Sequence, residues 1–70
     1  MAYIKFPSRE LRDNFYDAVN NAKTDSGDYL MKSNVSLCST SDYEISYDRD
    51  KVCDFGQFGE LMAIYKGKLV

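Results

Sequence analysis

Apolar residues change their spacing along the chain. At the start, Ile4 and Phe6 alternate with Tyr3 and Lys5. That period of two predicts a short strand over 2–6 with Ile4 and Phe6 facing inward. Pro7 carries no N–H and ends it. Ser8 then stands where a helix N-cap belongs, and Glu10 lies in the first turn, where the helix dipole favours an acid. From there Leu11, Phe15, Ala18, Val19 and Ala22 recur at helical spacing. At about 100° per residue they form one stripe, which predicts an amphipathic helix over 9–23. Lys23 closes its last turn with the right sign, and Thr24, Asp25, Ser26 and Gly27 read as a loop.

Beyond the loop the period falls back towards two. Tyr29, Leu30 and Met31 open a strand, Asn34 bends it, and Val35 and Leu37 alternate with Ser36 and Cys38. Ser39, Thr40 and Ser41 form a polar turn. Tyr43, Ile45 and Tyr47 alternate with Glu44, Ser46 and Asp48, which predicts a half-exposed antiparallel strand. The run 48–51 reads as a hairpin turn, returning into a strand at 52–55. In the tail, Phe58, Leu61, Met62 and Tyr65 fit a helix, while Leu61, Ala63 and Tyr65 alternate with Met62 and Ile64 as a strand would. Gly56 and Gly59 weaken a long element that begins before Gly59, so a strand over 60–66 is preferred. The expected fold is α+β: one amphipathic helix packed on a small antiparallel sheet. Its order is β-α-β-β-β, and the tail adds a fifth strand or a short C-terminal helix.

Seventy residues allow one compact domain, 1–70. Hydrophobic residues make up 44% and charged residues 29%, a globular composition. There is no histidine. That removes the commonest general base and metal ligand, and the usual partner of a nucleophilic Ser or Cys. The expectation is a protein that is not an enzyme and holds no cofactor and no metal. The first residues show no basic start followed by an apolar run, and no stretch is long and apolar enough to span a membrane, so a cytoplasmic location is expected. Cys38 and Cys53 are then expected as reduced thiols, although paired strands would let them bridge.

Two tripeptide-scale motifs add little. Asp54-Phe55-Gly56 spells the magnesium-holding triplet of protein kinases without the other kinase parts. Gly56-Gln57-Phe58-Gly59 has the Gly-x-x-Gly spacing of KH-type RNA-binding loops. That loop joins two helices, whereas a strand is expected before it here, so a glycine-kinked turn that folds Phe58 inward is the simpler reading.

Two surfaces remain for function. Tyr43, Glu44, Tyr47, Asp48 and Asp50 combine tyrosines with acids on an expected sheet face or edge, which suits docking of a protein partner. Arg9, Arg12, Tyr16 and Lys23 lie on one flank of the helix stripe, a second candidate surface for an acidic partner or nucleic acid. Net charge is −2, which does not favour phosphate-backbone binding. The leading expectation is a small non-catalytic protein-binding module, an inhibitor or regulator that occludes a larger cytosolic protein. Size and composition liken it to virus-encoded host-takeover or anti-defence proteins, by analogy alone. The alternatives are a nucleic-acid-binding accessory protein that uses the helix flank, and a nucleotide sponge assembled at an oligomer interface.

Overall fold

The computed structural model describes residues 2–32, 37–39 and 41–70, with the backbone alone for 37–39. The expected bend at Asn34, the alternation of Val35 with Ser36, and Thr40 of the polar turn lie outside these residues. The elements run β1 (Ala2–Lys5), α1 (Arg9–Asn21), β2 (Leu37–Ser39), β3 (Glu44–Tyr47), a 3-10 turn (Arg49–Lys51), α2 (Phe55–Ile64) and β4 (Lys68–Leu69). The sheet is antiparallel in the order β2-β3-β1-β4. The architecture is α+β, as the residue pattern predicts, with two helices rather than one.

The first third of the chain follows its sequence closely. Ile4 and Phe6 are buried, and Pro7 breaks the strand. Ser8 caps α1, its hydroxyl accepting from the Leu11 N–H at 3.2 Å. Phe15 and Val19 are fully buried, with Leu11 and Ala22 packed partly against them. The helix ends at Asn21, short of Lys23, because Ala22 turns into extended backbone as its cap.

Two expected strands do not form, and the one expected to open at Tyr29 is a strand only from Leu37. Over Tyr29–Met31 only isolated bridges occur, Lys23 with Tyr29 and Met31 with Val52. Leu30 instead donates its N–H to Ala22 O at 3.0 Å and accepts from Cys53 N–H at 2.9 Å, a brief ladder rather than a strand. The predicted hairpin at 48–51 is a 3-10 turn. The Asp48 carboxylate accepts from the Asp50 N–H at 3.0 Å and offers the backbone a local alternative to a ladder.

The return strand at 52–55 and the tail strand at 60–66 give way to α2. Asp54 caps this helix, its Oδ1 accepting from the Gln57 N–H at 3.1 Å. The kinase-like triplet is therefore a cap followed by the first helical residues, and the Gly-x-x-Gly segment lies inside the helix rather than in a turn. Phe58 does fold inward, and Leu61, Met62 and Tyr65 pack partly against the core. The helical spacing in the tail outweighs two glycines, each costing about 1 kcal/mol relative to alanine.

Both helices cover the sheet face that carries Ile4 and Ile45. Phe15 is central: its ring centroid lies 5.1 Å from Phe6, 5.6 Å from Phe58 and 6.4 Å from Tyr65. The last two contacts are edge-to-face, a favoured aromatic geometry. Tyr47 joins the cluster from β3, 4.9 Å from Phe58.

Candidate functional site

The tyrosine and acid stretch does not make one surface. Tyr47 is only 4% exposed. A strand puts i and i+2 on the same face, so Tyr47 follows Ile45 into the core. Burial raises its phenol pKa above the ordinary value near 10, and the nearby Arg49 charge partly offsets the rise. Tyr43 precedes β3 and is half exposed, its carbonyl accepting from the Phe6 N–H at 2.8 Å. Glu44 is half-buried, Asp48 is occupied as the cap of the 3-10 turn, and Asp50 is exposed. The structure therefore leaves Tyr43 and Asp50 available and withdraws Tyr47.

The helix flank is divided as well. Arg12 is 9% exposed. It lies three and seven residues before Phe15 and Val19, so it shares their face. Its Nη1 donates to the Ser41 carbonyl, and its Nε and Nη2 donate to Asp13 Oδ1. That guanidinium ties α1 to the approach to β3 and is not free for phosphate. Arg9 is exposed and lies 3.9 Å from Asp13. Lys23 holds its ammonium 5.1 Å from the Tyr29 ring centroid, and Tyr16 is half-buried. Asp25, Asp28 and Asp54 do not alter this picture: among the described residues, no group of three His, Cys, Asp or Glu side chains is placed to hold a metal ion. Cys53 is an exposed free thiol.

Residues outside both predicted surfaces form a clearer site. A groove of about 450 Å³ runs between α2 and the β1–β4 side of the sheet. Phe55, Gly59 and Met62 line it from the helix, and Ala2, Leu69 and Val70 from the strands. Phe55 is 53% exposed and Leu69 61% exposed. Leu69 pairs with Ile4 in register, yet α2 does not cover it as it covers Ile4. The buried Tyr47 and Phe58 also line it, and Arg49 is the charged residue among the described lining.

Local sequence explains the opening. With Asp54 as the cap, Phe55 begins α2, and Phe55, Gly59 and Met62 fall at i, i+4 and i+7. They form a second apolar stripe beside that of Phe58, Leu61 and Tyr65. Gly59 interrupts it: a Cβ there would meet nothing within 4 Å. The stripe is legible in the sequence once the tail is read at helical spacing.

No helix among the described residues is long and apolar enough to cross a membrane. No family model matches the chain, and no curated protein or solved structure matches it.

Proposed function

We propose that the protein is a non-catalytic protein-binding module whose contact surface is the apolar groove between α2 and the C-terminal strand. Gly59 carries this reading. A glycine inside a helix lowers its stability by about 1 kcal/mol, and here no packing contact fills the space where its Cβ would stand. What the glycine does provide is room between Phe55, Met62 and Leu69 for a side chain from outside. Exposed apolar surface of this kind, with a charged residue at its rim, is the usual form of a protein-docking patch.

The partner offers an apolar side chain to the groove and an acid towards Arg49. By covering a site on a larger cytosolic protein, the module acts as its inhibitor or regulator. Capture from the native host's lysate tests this. One protein is expected with the wild-type chain and with Tyr43→Ala, but not with Phe55→Asp. Equal recovery with Phe55→Asp overturns the groove as the contact surface. Recovery of nucleic acid alone, released steeply by salt, favours the nucleic-acid reading instead.

A further inference from the structure

β4 closes one edge of the sheet, and no strand lies on its outer side among the described residues. Val70 N–H donates to Tyr3 O at 3.1 Å, so the backbone groups of Val70 and Lys68 turn towards β1. Successive residues of a strand turn their N–H and C=O to opposite sides, which directs those of Leu69 outward. The Leu69 side chain lies on the helix side, in register with the buried Ile4, and lines the apolar groove. An open edge of this kind is a template for strand addition.

The opposite face of the sheet carries a charge pattern. Lys68 stands in register with Lys5, and Lys5 with Glu44 on its other side. Both lysines are exposed. Like charges directly opposite each other on a sheet are unfavourable, and an acid on the next strand relieves them. The row Glu44, Lys5, Lys68 thus has its acid at one end and lacks one at the open end. On the groove side Arg49 adds a further positive charge. A second copy fits this edge poorly: paired antiparallel through Leu69, two β4 strands would set one Lys68 diagonally across from the other.

We propose that β4 takes up an extended acidic peptide segment of the partner as a further strand. The apolar residue opposite Leu69 enters the groove, and the acid next to it faces Lys68 on the other side of the sheet. This inference rests on the groove as the contact surface and specifies how the partner is held. Leu69 alone offers few backbone hydrogen bonds, so the side chains on the two faces provide the selectivity.

NMR titration with three blocked peptides tests it: acidic Ac-SEVEVES-NH2, its lysine counterpart Ac-SKVKVKS-NH2, and the acidic peptide with both valine nitrogens methylated. Saturable shifts at the amides of Lys68, Leu69 and Val70 are expected with the acidic peptide. The lysine counterpart is expected to bind at least about threefold weaker. So is the methylated peptide, which keeps every side chain and loses the N–H that donates to Leu69 O. Lys68→Glu, at an exposed position, should invert the preference between the two charge types. No saturable shift up to about 5 mM of the acidic peptide overturns the proposal. So does equal binding of the two charge types, an unchanged preference in Lys68→Glu, or a dimer of the chain whose interface maps to Leu69. Equal binding of the methylated peptide overturns strand addition and leaves the groove as the contact surface. The groove itself fails separately, through undiminished lysate capture with Phe55→Asp.

Discussion

Gly67 passes so close to Ile4 that a Cβ on the glycine would stand 2.7 Å from Ile4 Cγ2. The same Cβ would lie 2.7 Å from Phe6 Cε1. Both neighbours are buried in the core and cannot swing away. Gly67→Ala is therefore expected to destabilise the protein by about 1–3 kcal/mol, the usual cost of forcing extra volume into a packed interior. A urea midpoint unchanged from wild type would show that the C-terminal turn can lift off β1.

The residue before it has the complementary problem. α2 ends in a Schellman turn: Gly67 N–H donates to Met62 O at 2.9 Å, and Lys66 N–H donates to Ala63 O at 3.2 Å. Lys66 holds the left-handed position, φ 61°, where glycine is the usual occupant. The close approach to β1 claims the glycine one residue later. Lys66→Gly is expected to stabilise by about 0.5–1 kcal/mol, since the Cβ penalty exceeds the added chain entropy. Thermal unfolding measures it, and a lowered Tm would contradict the cap geometry.

Tyr47 links alkaline pH to stability. Burial raises its folded pKa above the unfolded value near 10. Below pH about 10 the phenol is protonated in both states, and its contribution is fully present. As pH rises, the unfolded chain ionises first, and stability falls until the raised folded pKa is passed. Denaturant midpoints from pH 9 to 11 should drop more steeply for wild type than for Tyr47→Phe. Tyr47→Ala is expected to cost about 3–5 kcal/mol by emptying its place beside Phe58.

How far the fold could be read depended on which rule each residue obeyed. Ile4, Phe6, Ser8, Phe15 and Val19 obey one local rule each, and the structure places them as the spacing demands. The charge of Arg12 suggests solvent, yet its position relative to Phe15 and Val19 puts it on their buried face. Tyrosine suits both a core and a binding surface, and only the phase of Tyr47 with Ile45 separates the two. The apolar groove is masked in the sequence by Gly56 and Gly59. Their low helix propensity argued for a strand, while the Asp54 cap and the burial of Phe58 made the helix the better packed outcome.

Arg12 supplies a test of the link between α1 and the segment before β3. Its guanidinium serves Ser41 O and Asp13 together, which a single ammonium cannot reproduce. Arg12→Ala is expected to cost about 1–3 kcal/mol, the range for hydrogen bonds to a charged group. Arg12→Lys should recover less than half of that. Chemical denaturation of the two variants checks it, and equal stability of wild type and Arg12→Lys would mean that the bond to Ser41 contributes nothing.

Gly59 separates stability from function most directly. Nothing in the fold needs its missing side chain, so Gly59→Ala is expected to raise the unfolding free energy by about 0.5–1 kcal/mol. A larger residue should tell the two roles apart. Gly59→Leu leaves the aromatic core untouched and projects its side chain into the space between Phe55, Met62 and Leu69. The variant is expected to fold with a Tm at or above that of wild type and to lose the partner that wild type captures. If it instead binds as wild type does, the glycine is an unused imperfection of the helix. The contact surface must then be sought at Tyr43 and Asp50, the two residues of the tyrosine and acid stretch that remain open to solvent.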